Sequence, residues 1–299
     1  MADEMADEAA PEPAQRSRIE GGVDAVVLGG GPDALIAAAY LGRAKLKTVL
    51  LADGAELGAP HALQTFAGLD VAAGEHLLHA LEPRIIDDLD LYRAGVSFAA
   101  RRLDSVYFFG GDDSLNVEGD LRAAGARLDD DHPGADWFFG GAFEAAAQLR
   151  EALEARKPTS VPQTLLEMAA ASAQDRIAAA LPPGALQTAM LAEAAFRNAS
   201  PPHEAMSFGP LIARWSGEIA GFQGGVGYPA GGVGAVVDAM RRVAQRARVD
   251  IRAASRVEAI LIERDQAAGV ALEDGGQLRA PIVISALSAE QTFSELIGA

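Results

Sequence analysis

Three consecutive glycines, Gly29-Gly30-Gly31, with Ala34 just after them and Asp53 further on, have the types and spacing to hold a pyrophosphate. Gly29 permits a sharp turn out of an extended segment, and Gly31 lets the backbone approach phosphate oxygens without an intervening Cβ. Ala34 fills a third position, where a helix and a strand pack closely and a small side chain is admitted. N–H groups at the start of the helix then face the phosphates, and the helix dipole adds a favourable field. An acidic residue at the end of the second strand ordinarily holds the ribose hydroxyls. Here that end reads Leu50-Leu51-Ala52-Asp53, so Asp53 serves if the strand runs one residue further and is otherwise the turn residue of Asp53-Gly54. Taken alone, the loop fits any dinucleotide. The competing reading is a glycine-rich turn in an α/β domain that binds nothing.

The flanking pattern supplies the elements that must position these residues. An apolar run, Ala25–Leu28, reads as a strand, residues 34–41 as a helix of small apolar residues, and Thr48–Leu51 as a second strand at crossover distance, which makes a βαβ unit. Residues 101–117 read as a hairpin with its tip at Gly110-Gly111-Asp112-Asp113. Helical character follows over 138–156, 161–180 and 186–196, interrupted at Pro182-Pro183-Gly184. Gly231-Gly232 precede a helix over 233–248, with Val236, Val237, Met240, Val243 and Ala244 on one period. Four short strands follow, at 249–251, 257–263, 269–273 and 281–286. The second and third are expected to form an antiparallel meander, and Ile282–Ser285 a strand buried on both faces.

Composition bounds the alternatives. The 299 residues carry a net charge of −17, which argues against nucleic acid and against attachment to an anionic membrane surface. Cysteine is absent, so disulfides, thiolate metal sites and thiol nucleophiles are excluded together. Of the five histidines, only His76 and His79 are close in sequence, in the helical-looking stretch GEHLLHALEP. No third ligand accompanies them, so no metal site is expected. Residues 1–22, with the tandem MADE-MADE, read as a disordered acidic tail, and the fold is expected to begin near Val23. The acidic N-terminus resembles no targeting signal and no apolar run reaches membrane-spanning length, so a cytoplasmic protein without a transmembrane segment is expected. Trp137-Phe138-Phe139 reads as helix core and Pro201-Pro202 as a helix start, which leaves His203 without a catalytic role.

Three stretches together, VVLGGGPDALIAAAYLGRA, NASPPHEAMSFGPLIARWSGEIAGFQGGVGYPAGGVGAVVDAM and VDIRAASRVEAILIERDQAAGVALEDGGQLRAPIVISALSAEQTF, resemble the phytoene dehydrogenase-like FAD-dependent oxidoreductases. That group includes the pyridine nucleotide-disulfide oxidoreductase domain-containing protein 2 type, and the resemblance runs from Val23 to the end. It implies an α/β chain with a Rossmann-like FAD-binding domain, built as βαβ plus an antiparallel meander from 23–100 and 225–299. A mostly helical substrate-type domain is inserted at 101–224. It further implies that Gly29, Gly31 and Ala34 meet the FAD pyrophosphate, that Val257 contacts the adenine side through its backbone, and that hydride passes from an apolar substrate to the flavin. Asp53 and Gly58 take the remaining cofactor positions, and no catalytic side chain is assigned. The family pattern is altered at Ala52, where the acid is expected, and at Gly58-Ala59, where paired glycines are expected. Members of the group also continue beyond the point matching Ala299 with a segment that covers the flavin ring. A noncatalytic accessory protein on a shortened scaffold, or one half of a split flavoenzyme, is therefore the alternative expectation, with a homo-oligomer or a complementary partner chain.

Overall fold

The structure, a computed structural model, describes residues 19–20, 22–54, 57–58, 63–72, 76–154, 161–196 and 198–297. In chain order it begins with β1 (Ile19–Glu20), β2 (Ala25–Leu28), α1 (Pro32–Arg43) and β3 (Thr48–Leu51). A hairpin of β4 (Leu63–Phe66) and β5 (Leu69–Ala72), helix α2 (Pro83–Leu89), β6 (Phe98–Ala100) and a hairpin of β7 (Ser105–Gly110) and β8 (Asp113–Val117) follow. Next come α3 (Leu121–Leu128), α4 (Ala135–Glu154), α5 (Gln163–Ala170), α6 (Ala173–Ala180), α7 (Ala185–Ala195) and α8 (Gly209–Ser216). The short strands β9 (Glu218–Ile219), β10 (Phe222–Gln223) and β11 (Tyr228–Pro229) lead into α9 (Gly232–Arg246). The chain finishes with β12 (Asp250–Arg252), β13 (Val257–Glu263), β14 (Gln266–Leu272), β15 (Gln277–Arg279), β16 (Ile282–Ser285) and a π-helical turn at Gln291–Leu296. The described residues divide into two compact units, one drawn from Met1–Ala59 with Met240–Ala299 and the other from Pro60–Ala239.

The first unit is α/β. Its parallel sheet has the order β12-β3-β2-β16, and every side chain of β2 is at most 1% exposed. Such burial explains the unbroken apolar run, because a central parallel strand has no face left for water. The second sheet has the order β1-β15-β14-β13, in which β13, β14 and β15 are antiparallel. Arg264 and Asp265 both take positive φ at the β13–β14 turn, the backbone twist that a two-residue hairpin requires. Val26, Leu28, Val49, Leu51, Val270 and Leu278 share one core.

In the second unit, strand β7 alternates strictly. Tyr107 and Phe109 face the core, while Val106 and Phe108 face outward. The core centres on Trp215 of α8, which stacks on Phe139 at 5.7 Å and on Phe143 at 5.8 Å between ring centroids. Phe138 meets the indole edge-on at 6.3 Å, so the two phenylalanines of the aromatic triple are core, whereas Trp137 is 67% exposed.

Several expectations need correction. Ile282–Ser285 is not buried on both faces: β16 is an edge strand, and Ile282 is exposed. The fold begins before Val23, since Ile19 and Glu20 pair in parallel with Gln277 and Leu278; the rest of the expected tail lies outside the described residues. Residues 161–180 form two helices because Ala171 turns extended and the Ser172 hydroxyl caps the Asp175 N–H at 3.0 Å. The stretch holding His76 and His79 is not helical where described; Leu78 instead exchanges two backbone hydrogen bonds with Gly227. Pro201-Pro202 opens a series of turns, and the next helix starts only at Gly209.

One glycine of the meander is fixed by sterics. Gly269 has φ +138°, and a Cβ there would stand 2.0 Å from the Leu278 carbonyl oxygen of the neighbouring strand. Gly269→Ala is expected to lower the unfolding free energy by about 2 kcal/mol or more, read as a reduced midpoint in urea denaturation.

Candidate functional site

The glycine turn leaves the C-terminal end of β2, where ligands of parallel sheets ordinarily bind. Gly29 has φ +122°, a conformation that favours glycine, and its N–H donates to Leu51 O at 2.9 Å across to β3. Gly30 sits over the chain that leaves β3: a Cβ there would stand 3.1 Å from Ala52 Cβ. The Gly30 carbonyl accepts the Gly58 N–H at 2.9 Å, so Gly58 clips the turn in place.

Gly31 differs from both neighbours. As N-cap of α1 it has φ −84°, which any residue adopts, and an added Cβ would meet nothing within 4 Å. Pro32 at the first helical position has no N–H to offer, and among the described residues no acceptor pairs with the N–H groups of Gly31, Asp33 and Ala34. Ala34 is fully buried, with its Cβ 3.5 Å from the position of a Cβ on Gly29, so it closes the packing between α1 and the turn.

Beside the turn lies a recess of about 360 Å³ in the same unit. Of the residues singled out in the sequence, Gly29, Asp53 and Val257 line it; Gly31, Ala34 and Gly58 do not. Ala52 is buried beneath Gly30, donating its N–H to Arg252 O at 3.0 Å, whereas Asp53 stands in the exposed mouth. An acid at 53 rather than 52 therefore has a local cause: Ala52 is buried against the turn at Gly30, and Asp53 lines the recess. Val257 opens β13 next to a bulge. Sequence reading missed Arg256, whose Nε lies 3.2 Å from Glu273 Oε1 and 3.9 Å from Asp53 Oδ2. It also missed Glu258, Glu273 and Glu295, which with Asp53 give the lining four carboxylates against the one arginine.

The second unit holds a separate polar constellation. Tyr107 donates to Glu193 Oε2 at 2.9 Å, and the Arg214 guanidinium donates to the other carboxylate oxygen, to Glu193 O at 2.9 Å and to Phe196 O at 2.9 Å. The guanidinium also lies over the Phe196 ring at 5.3 Å, and the His79 ring meets the same phenyl group at 6.0 Å. Burial, reinforced by the Arg214 charge and opposed by Glu193, holds the His79 imidazole below its usual range. No metal-holding cluster occurs among the described residues, His76 and His79 included.

No protein-family model matches the chain. Among curated proteins it is 25% identical over 324 residues to the Mus musculus pyridine nucleotide-disulfide oxidoreductase domain-containing protein 2, covering 93% of this chain and 55% of that protein. A 74-residue stretch is 39% identical to the neurosporene-forming phytoene desaturase of Rhodobacter capsulatus, 24% of this chain and 14% of the desaturase. Among solved structures, an oxidoreductase from Methanosarcina mazei superposes with a TM-score of 0.62 at 18% identity, over 92% of this chain and 61% of that one. The resemblance read from the sequence is thus met by relatives of the same names, and the chain shares its fold with the Methanosarcina mazei structure. The chain spans about half the length of the mouse relative. Among the described residues no helix is long and apolar enough to cross a membrane.

Tyr107 gives this constellation a measurable signature. Burial first, then the Glu193 carboxylate beside it, raises its phenol pKa well above the ordinary tyrosine value. The native state therefore keeps a proton that the unfolded chain loses near pH 10, and stability falls as pH rises beyond that point. One of the four tyrosines is expected to ionise late by phenolate absorbance, and Tyr107→Phe to remove both the late phase and that part of the alkaline destabilisation.

Proposed function

We propose that the chain carries the dinucleotide-holding part of an FAD-dependent oxidoreductase of the phytoene dehydrogenase-like kind. The observation that carries this reading is Gly31: neither its backbone angles nor its neighbours require glycine, and beyond its favourable place as N-cap the missing side chain leaves the start of α1 open to a ligand. A pyrophosphate fits. It would meet the open Gly31 surface and the unpaired N–H groups of the first turn of α1, with the helix dipole behind them.

In this reading the discontinuous α/β unit is a Rossmann-like flavin-binding domain, and the unit within Pro60–Ala239 is the inserted substrate-type domain. Asp53 takes a ribose hydroxyl, Val257 offers its backbone to the adenine, Ala34 supports the turn and Gly58 fixes its carbonyl. Arg256, shared by Asp53 and Glu273, orients both carboxylates at the mouth of the recess. When bound, the isoalloxazine accepts a hydride from an apolar substrate, and the protein supplies placement and electrostatics. A second reading is favoured by the open edge of β16, whose Ile282 is exposed although parallel strands are ordinarily covered. In that reading an accessory or half-enzyme pairs this edge with a complementary chain or a second copy, and the native mass exceeds that of the monomer.

Gly31→Val separates folding from binding. Replacing a favourable N-cap residue by valine is expected to lower the unfolding free energy by only about 1 kcal/mol, which leaves the chain folded, while flavin fluorescence titration shows FAD binding lost; unchanged FAD affinity in this variant would remove the basis of the proposal. The acidic lining adds a second expectation. FAD is itself anionic, so its affinity should rise as salt is increased from about 0.01 to 0.3 M, because screening weakens repulsion from Asp53, Glu258, Glu273 and Glu295.

A further inference from the structure

The unit within Pro60–Ala239 contains a recess of about 350 Å³, at the small end of the range for organic ligands. Leu77, Leu78, Phe196 and Pro210 give it apolar walls, and His79 and Arg214 supply its polar ones. We propose that this recess binds the carboxylate end of a small apolar acid, with Arg214 and His79 as the recognising groups and the aliphatic and phenyl walls holding the adjoining carbon chain. The inference goes beyond the flavin reading and does not depend on it.

Arg214 is held in place before any ligand arrives. Three of its five N–H protons are taken by Glu193 O, the Glu193 carboxylate and Phe196 O, and the planar group rests over the Phe196 ring. Its Nε–H and one Nη1–H remain, and each can donate a single charge-assisted hydrogen bond to a carboxylate oxygen. Glu193 does not line the recess, and its oxygens are occupied by Tyr107 and Arg214. A ligand in the recess therefore faces the cation more closely than the anion that balances it. At His79 the arginine likewise outweighs the glutamate.

His79 supplies the second, independent observation. Its ring is half-buried against Phe196, and among the described residues neither ring nitrogen has a hydrogen-bond partner. A half-buried imidazole that no protein group pairs with leaves its nitrogens to water or to a ligand in the recess. The group that suits a neutral imidazole N–H beside a guanidinium is an oxyanion. An amine would meet the cation and be repelled, and an alcohol would fill the apolar walls without using the charge.

The test is calorimetric titration of the full chain, without flavin, using octanoate, octan-1-ol and octylamine as probes. Octanoate is expected to bind saturably at one site, with the alcohol and the amine at least about tenfold weaker. His79→Phe keeps a ring against Phe196 and should weaken octanoate at least about tenfold while leaving octan-1-ol unchanged. Glu193→Gln can keep its carbonyl oxygen on Arg214 and donate its amide N–H to the Tyr107 hydroxyl, but it removes the competing charge and should tighten octanoate. The proposal is overturned if octanoate does not bind, if octan-1-ol binds equally well, or if His79→Phe binds octanoate like the wild type. Each of these readouts stands even if Glu193→Gln fails to fold.

Discussion

Strand β2 must be paired on both edges and covered on both faces, and the α/β unit exists only when that is achieved. Its neighbour β3 is local, delivered by the α1 crossover, but its other neighbour β16 comes from the far end of the chain. Parallel strands cannot be joined by a tight turn, so this pairing depends on the whole intervening sequence being accommodated elsewhere. The chain does so by folding residues 60–239 as a compact unit of their own. Burying Val26, Val27 and Leu28 to 1% exposure or less contributes about 1.5–3 kcal/mol for each side chain, against the entropy of closing so long a loop.

The glycine turn inherits its geometry from that strand. Leu51 O, at the end of β3, fixes the Gly29 N–H; Ala52, the next residue, fills the space under Gly30; and Gly58 N–H holds the Gly30 carbonyl. Two of the three glycines are therefore explained inside the protein, one by its φ and one by a close approach. Gly31 is explained by neither. The three identical residues that look like one motif in the sequence thus separate, in space, into two that build the turn and one that leaves it open.

Legibility in the sequence followed the range of the interactions. The segment from Ala25 to Leu51 was readable because strand, turn, helix and strand are set by neighbours a few residues apart, and the limits of β2 and β3 emerged as expected. The exposure of β16 was not readable: an apolar run is the same whether it becomes a central or an edge strand, and sheet order decides which. The spacing of His76 and His79 suits a helix, but Gly227 captures Leu78 between them, a bond made 149 positions away. The preference of position 53 over 52 for the recess depends on Gly30 lying above Ala52. Arg256 and Glu273 came together only through the pairing of β13 with β14. The constellation of Tyr107, Glu193 and Arg214 left no local signal at all, because each residue belongs to a different element and none forms a motif with its own neighbours.

Arg214 and His79 illustrate how a residue set by the fold can be distinguished from one that is not. Arg214 takes two carbonyls at the C-terminal end of α7, Phe196 O and Glu193 O, the latter shared with the Phe196 N–H at 3.3 Å, and so it has a structural reason to be a guanidinium. The half-buried ion pair with Glu193 is costly to desolvate, but the carboxylate is satisfied within the protein, by Arg214 on one oxygen and Tyr107 on the other. His79 has no such account. Its packing against Phe196 would be served as well by a phenyl ring, and its nitrogens satisfy nothing among the described residues. It stands to its recess as Gly31 stands to the turn at the end of β2: neither residue's type is required by a contact inside the protein, and each borders open space. Where intramolecular contacts leave a residue's chemistry unused, that chemistry is available to a ligand.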